Sequence, residues 1–364
     1  MQNIKTITAE TEQGRIAINE VMQHSYTSDI AIVPSQWDFV RIVDDVPVSF
    51  ILVDPERYME FHGGDIRYAF VEDVATREDR RMESHFRGIM EYAFSKLRDY
   101  GIPIVILHGD YRLYRRFGFD VFTHHCAVFA APELIERKLG TQVSDEARQL
   151  IVIEDRDYLQ NNLLLITEVK AKNFTECKSA LQVSAVIARE RGKTRIIFEY
   201  PFAPGHGSRY PIYPSFEDPF TGLARSCGCE IRIQGDDPES CTTSHADWIK
   251  VLDSARFVKE VLIQSEKVSN SFPEGIICFD TDAGHVMIES FRDKLTVSGE
   301  IRQDSEMIEL SSSALAQLVT GYQPIEVLCA IRDVQISFRA LELLKALFPH
   351  QWRFSRNENW VFRS

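Results

Sequence analysis

The sequence predicts an α/β protein with mixed α+β sheets, divided into more than one domain. Three observations predict this class. Helical and strand-like patterns alternate from the N-terminus, the order that builds layered α/β domains. The 364 residues exceed one ordinary domain and suit two or three, at roughly 100–200 residues each. The composition, 44% hydrophobic and 26% charged, is that of a soluble globular chain, which excludes disorder, collagen and coiled coil as global descriptions.

The first region opens with a helix over residues 14–28, with Ile16, Ile18, Val21 and Met22 on its apolar face. Residues 38–43 and 46–53 read as two strands turning at Asp44-Asp45. Residues 66–75 form a further strand, centred on Tyr68, Phe70, Val71 and Val74. A helix over about 80–100 carries Phe86, Met90, Ala93 and Leu97 at spacings of 3 and 4, and Gly101-Ile102-Pro103 stops it. Ile104–Leu107 is a short apolar strand of the kind buried on both faces. Tyr111–Phe117 reads as a short helix and Val121–Phe129 as the last strand of this region.

Residues 131–160 are charged, helical in parts, and connect to a second region. There Thr175–Arg191 reads as a helix, and Thr194–Tyr200 and Glu230–Gln234 as strands. Pro201–Pro219, with five prolines and two glycines, reads as a long loop. In the third region Trp248–Ile263 reads as a helix. Strands follow at Gly275–Phe279, His285–Glu289, Lys294–Ser298 and Met307–Leu310. Ser311–Thr320 reads as a serine-capped helix closed by Gly321, and Ala340–Phe348 as a helix stopped by Pro349. The implied division is 1–145, 146–245 and 246–364.

Charge and cysteine content narrow the function. The chain has 41 basic and 54 acidic residues, a formal net charge of -13. That repels a phosphate backbone, so nucleic acid is not an expected partner; small cationic molecules are compatible with it. No apolar run approaches the roughly 20 residues of a membrane helix. Met1-Gln2-Asn3-Ile4-Lys5 lacks the pattern of a secretory signal. With seven cysteines, an odd number, the expectation is a cytoplasmic protein with reduced thiols and no membrane partner.

The stretch that carries chemistry is His108-Gly109-Asp110-Tyr111-Arg112-Leu113-Tyr114-Arg115-Arg116-Phe117-Gly118-Phe119. A strand precedes it, a short helix ends in a tyrosine, and Gly-Phe enters the next strand. This arrangement resembles the acetyl-CoA-binding half of GNAT N-acetyltransferases. The resemblance implies direct attack of an amine on the thioester of acetyl-CoA. It assigns Tyr114 as the general acid for the departing thiolate. It gives a backbone N–H near Val74 an oxyanion role, and lays the pantetheine arm along Glu72-Asp73-Val74. Gly109 and Asp110 fall on the donor side.

The family's pyrophosphate loop reads Arg/Gln-x-x-Gly-x-Gly/Ala, in which glycine and helix N-terminal N–H groups admit phosphate. The equivalent here is Arg80-Arg81-Met82-Glu83-Ser84-His85, which has no glycine and carries an acid. Arg77, Arg80, Arg81 and Arg87 are the candidate compensating cations.

Further marks are Trp248-Ile249-Lys250-Val251-Leu252-Asp253, Leu315-Ala316-Gln317-Leu318-Val319-Thr320-Gly321-Tyr322, Leu347-Phe348-Pro349 and Trp360-Val361-Phe362. In this order the chain resembles the enhanced intracellular survival (Eis-like) acetyltransferases. That implies an N-terminal GNAT fold, a second degenerate GNAT-like domain and a sterol-carrier-like α+β domain. It also implies a homo-oligomer, with a hexamer as one form, and a C-terminal carboxylate as base. Here that carboxylate belongs to Ser364, two residues beyond the aromatic Phe362.

Other candidates are weaker. Cys227, Cys229, Cys241 and His245 lack the usual zinc spacing, so no metal is expected. His124-His125-Cys126 alternate across a strand. Asp29, Glu72 and Asp73 are acids available to an amine pocket, and Pro204–Ser208 reads as a connecting loop. Two functional readings stand. The first is an acetyl-CoA-dependent N-acetyltransferase acting on a primary amine of a small cationic acceptor, such as a polyamine, aminoglycoside or lysine-like group. The second is a non-catalytic GNAT-like ligand-binding or scaffold protein that has lost acetyl-CoA use.

Overall fold

The computed structural model describes residues 3–25, 35–61, 64–108, 111–154, 162–171, 173–202, 219–233, 246–266, 272–292, 294–302, 305–321, 323–332 and 334–349. Among them, an 11-stranded mixed sheet and a four-stranded sheet carry the fold, with helices packed between and around them.

The first strand, β1 (Ile4–Thr8), leads to α1 (Glu12–Gln23), whose N-cap Thr11 accepts a hydrogen bond from the Gly14 N–H at 3.0 Å. β2 (Phe39–Val43) and β3 (Val46–Phe61) form a hairpin whose turn residues Asp44 and Asp45 both have positive φ, the backbone of a tight two-residue turn. β4 (Gly64–Thr76) pairs antiparallel with β3. α2 (His85–Asp99) crosses to β5 (Ile104–His108), which runs parallel to β4. On α2 the buried residues Ile89, Met90, Ala93, Phe94 and Leu97 face the sheet; each large one contributes about 1.5–3 kcal/mol by burial. α1 packs on the opposite face, against Val40, Ile42, Phe50 and Leu52. α3 (Tyr111–Tyr114) and a 3-10 turn end at Gly118, whose φ of 82° suits glycine, and β6 (Asp120–Ala130) follows.

The second region repeats the strand–strand–helix–strand plan. α4 (Pro132–Leu139) precedes β7 (Ile151–Glu154) and β8 (Leu163–Val169), which pair antiparallel. α5 (Phe174–Glu190) then crosses to β9 (Arg195–Phe202), parallel to β8. β9 joins β6, so both halves share one sheet. α6 (Pro219–Ser226) and β10 (Glu230–Ile233) complete this half, β10 pairing with β6.

Residues expected to begin a helix at Trp248 instead form β11 (Ala246–Val251). This strand inserts between β5 and β6, antiparallel to both. Trp248 and Leu252 pack into the α2-side core, while Ile249 and Val251 pack into the core of the third region. Both faces of the strand are therefore buried.

The helix starts only at α7 (Ser254–Glu266). β12 (Gly275–Asp280), β13 (Val286–Phe291), β14 (Lys294–Ser298) and β15 (Glu306–Glu309) form the second sheet in the order β14-β13-β12-β15. α8 (Ser312–Val319), capped by Ser311, then α9 (Ile325–Arg332) and α10 (Phe338–Leu347) follow. This region packs directly on the first sheet: one core contains Ile66, Tyr68, Phe70 and Ile106 together with Phe257, Val261, Leu315 and Leu344.

Candidate active site

The site grows from an interruption in the first sheet. The parallel ladder between β4 and β5 covers Ala69↔Val105, Phe70↔Ile106 and Val71↔Leu107. β4 continues past that end to Thr76. Against β3, Val71 faces Val53 and Asp73 faces Leu52, so Glu72 is an extra residue bulged out of the ladder. A bulge bends its strand and raises its twist, and it falls where the β4–β5 ladder stops, one residue before β5 ends at His108. Glu72, Asp73 and Val74, the residues expected along the donor arm, lie on β4 just beyond the end of its ladder with β5.

Glu72 itself is occupied by an ion pair. The Arg57 Nη2 donates to its carboxylate at 2.9 Å, and the Arg57 Nε donates to Asp54 at 2.9 Å. The guanidinium also lies 4.8 Å from the centroid of the Phe70 ring. Sequence reading missed Arg57 and Asp54, because Asp54-Pro55-Glu56 reads as a break rather than as part of a strand. Their pairing sits at a second register shift in β3 that accompanies the Glu72 bulge.

Tyr114 closes α3 and is buried, 8% exposed. Its ring centroid is 6.2 Å from Phe86 on the first turn of α2 and 6.0 Å from Phe119. These contacts bring Tyr114 beside the start of α2, where the loop expected to hold pyrophosphate ends.

That loop keeps a glycine-like backbone without glycine. A 3-10 turn covers Glu78–Arg80; Met82 has φ 69° and Ser84 φ 63°. Each left-handed non-glycine residue costs about 1 kcal/mol, the kind of local strain concentrated at ligand-binding loops. Met82 is 99% exposed. Ser84 is the N-cap of α2, yet its side chain makes no capping bond, and no acid lies in the first turn of the helix. The first N–H groups of a helix have no partner within it, so this end offers donors and a positive dipole end.

The four arginines are not equivalent. Arg77 pairs with Glu20 and Asp79, both at 3.1 Å, and holds the Asp79 carboxyl below its usual range. Arg80 pairs with Glu83 at 3.0 Å, and Arg87 approaches Glu91 at 3.8 Å. Arg81 is exposed and makes no ion pair among the described residues. Hydrogen bonding from Arg80, then from His85, pulls the Glu83 carboxyl below its usual range. His85, 3% exposed, meets Glu83 through Nε2 at 3.1 Å. At Gly88, one turn on, the Arg41 guanidinium lies over the helix, 2.4 Å from where a Cβ would stand, so a side chain there would have to displace it.

Gly109, Asp110, Ser364, Asp29, Cys241, His245 and the Pro204–Ser208 loop lie outside the described residues. His124, His125 and Cys126 lie on β6. Cys227 and Cys229 are buried in the core of the second region, and burial pushes the Cys229 thiol up to about 12. Among the described residues no three His, Cys, Asp or Glu side chains are grouped to hold a metal, and no helix is long and apolar enough to cross a membrane.

Comparison with known proteins gives the class. Residues 55–122, from the middle of β3 to the start of β6, match the family model of the GNAT acetyltransferase domain. Solved structures extend the fold likeness to nearly the whole chain. A GCN5-related N-acetyltransferase from Kribbella flavida superposes with a TM-score of 0.61 at 13% identity, covering 97% of both chains. One from Anabaena variabilis gives 0.61 at 12%, covering 96% of this chain and 98% of its own. Eis1 from Mycobacterium abscessus gives 0.60 at 12%, covering 98% and 100%. At these identities the structures establish the fold. Curated protein sequences give no match. The chain carries a GNAT acetyltransferase domain and is an acetyltransferase by class, and a domain of this class takes its acyl group from acetyl-CoA.

Proposed function

We propose that the protein transfers the acetyl group of acetyl-CoA to a primary amine of a small cationic acceptor. The observation that carries this reading is the bulged β4 running on past the end of its ladder with β5, with Tyr114 beside the first turn of α2. The pantetheine arm lies along Glu72, Asp73 and Val74, and backbone N–H at Val74 polarises the thioester oxygen. The pyrophosphate rests at the start of α2, over Arg80–His85, with Arg81, which makes no ion pair among the described residues, as a cation for it. Gly109 and Asp110 flank the donor.

The amine nitrogen attacks the carbonyl carbon and forms the new C–N bond. The C–S bond then breaks with its electron pair on sulfur, and Tyr114 gives its hydroxyl proton to the thiolate. The amine gives up one proton, and the C-terminal carboxylate of Ser364 is the proposed acceptor for it. Acidic groups and the net charge of -13 favour cationic acceptors. The rest of the proposal is a cytoplasmic homo-oligomer, such as a hexamer, divided at residues 145 and 245, with a sterol-carrier-like third domain. Light scattering tests the oligomer.

The decisive experiment is calorimetric titration of acetyl-CoA into the full chain, followed by a panel of amines assayed by thiol release. Micromolar binding with amine-dependent release supports transfer. Absence of binding at millimolar acetyl-CoA overturns it and leaves the non-catalytic reading, which the engagement of Arg80 by Glu83 favours.

A further inference from the structure

We propose that Glu83 is an internal substitute for phosphate: its carboxylate occupies the side chains that would engage the pyrophosphate of acetyl-CoA, so Glu83 sets the affinity for the donor. The inference rests on the donor-site reading above and deepens it.

Glu83 stands where the family's loop carries its first glycine. A residue kept only for folding at this point would be expected to cap the helix through its backbone N–H groups. Glu83 instead contacts two cationic or ionisable side chains. The Arg80 Nε approaches both carboxylate oxygens, at 3.3 and 3.2 Å, and Nη2 donates at 3.0 Å. This two-nitrogen grip is the geometry with which arginine holds phosphate. The His85 Nε2 completes the set at 3.1 Å.

A second observation points the same way. The other ring nitrogen of His85, Nδ1, is buried without a hydrogen-bond partner, although the residue is only 3% exposed. Buried polar atoms are nearly always satisfied, so the His85 ring is under-satisfied, held by Glu83 alone and able to exchange that one partner for another anion. The residues flanking Glu83, Met82 and Ser84, are both held at positive φ. Such strain persists only when the surroundings enforce it. The helix itself supplies no acid in its first turn and no capping side chain. The carboxylate nearest to it in sequence, Glu83, is engaged by Arg80 and His85.

Donor binding then exchanges one anion for another. Arg80 and His85 leave the carboxylate and take phosphate oxygens, and Glu83 swings to solvent, to which it is already 42% exposed. While Glu83 stays charged it also repels the diphosphate. At about 6 Å, and with a dielectric between bulk water and the protein surface, that repulsion weakens binding about tenfold.

The test is calorimetry on the full chain and on Glu83→Gln, with acetyl-CoA and with S-acetylpantetheine, which lacks phosphate. The expected result is about tenfold tighter acetyl-CoA binding by Glu83→Gln and unchanged S-acetylpantetheine binding. In the Glu83→Gln background, Arg80→Gln should cost more acetyl-CoA affinity than in the parent, because Arg80 is then free for phosphate. Equal or weaker acetyl-CoA binding by Glu83→Gln overturns the proposal while the donor site stands. Failure of acetyl-CoA to bind either protein overturns the donor site itself, and the proposal with it. Glu83→Gly, which restores the family's glycine, repeats the test with a second side chain, and melting curves confirm that each variant folds.

Discussion

Replacing Tyr114 with phenylalanine removes one oxygen and leaves the ring. The ring is what packs: it is 8% exposed, with Phe86 at 6.2 Å and Phe119 at 6.0 Å between centroids. Losing a hydroxyl from such a site costs stability of about 1 kcal/mol. Its effect on the reaction is larger. General acids contribute about 10²–10⁴-fold to rate. A thiolate is a modest base, with a pKa of about 8.5 against about 10 for tyrosine, so proton donation here belongs at the lower end. The expected loss is about 100-fold in kcat, equivalent to about 2.7 kcal/mol in the barrier. Because the proton moves only in the transition state, kcat and kcat/KM should fall together. Thiol release measured with a chromogenic reagent gives both constants, and calorimetry gives the acetyl-CoA Kd, expected within about twofold of the parent. A kcat within threefold of the parent would refute the assignment of Tyr114, and a matching loss of acetyl-CoA affinity would make it a binding residue.

Two further predictions concern the scaffold. Alanine at Gly14 gains about 1 kcal/mol of helix propensity, but its Cβ would lie 1.8 Å from the Thr8 carbonyl oxygen. Backbone cannot rotate away as a side chain can, so α1 must retreat from β1. The net loss should be about 2 kcal/mol in urea unfolding, and a stabilised variant would contradict the packing described. Lys250 on β11 lies 5.6 Å from the Phe94 ring, and burial lowers its pKa. Its native state therefore releases a proton at a pH where the unfolded chain still binds one, and stability must rise with pH in that interval. Relative to Lys250→Met, the parent should gain stability as the pH climbs towards 10.5, the ordinary lysine value; a pH-independent difference would count against it.

The parts legible in the sequence are those governed by local spacing. The Phe86–Leu97 periodicity locates α2, the serine at 311 starts α8, and Tyr114-x-x-x-Gly118-Phe119 marks the turn into β6. β11 and β8 were not legible. A strand buried on both faces loses the alternation of apolar and polar residues, so Trp248–Leu252 reads as the start of the helix that follows, and Leu163–Ile166 has no period at all. The 8-residue helices α6 and α9 are too short for their pattern to stand out. At the site, sequence locates the loop and its wrong-signed Glu83. The left-handed backbone at Met82 and Ser84 is hidden, because both residue types disfavour it and tertiary context alone imposes it. The Arg57–Asp54–Glu72 pairing is hidden for a different reason: it depends on two register shifts between strands.

The strand β11 has a consequence for synthesis. β5 and β6 face each other only through it, yet it is encoded more than a hundred residues after β6 ends. At 5–20 residues per second, a ribosome holds the first half of the sheet open for roughly ten seconds before the closing strand emerges. Until it emerges, the inner edge of β5 and that of β6 over Asp120–His124 are unpaired strand edges, the surfaces most prone to join the wrong chain. Folding of the acetyl-transfer half is thus tied to the far side of the polypeptide. A fragment ending at residue 145 or 245 contains Glu72–Val74, the Arg80–His85 loop and Tyr114 and still lacks the strand that joins β5 to β6. Cutting this protein at its apparent domain boundaries removes the centre of its first sheet.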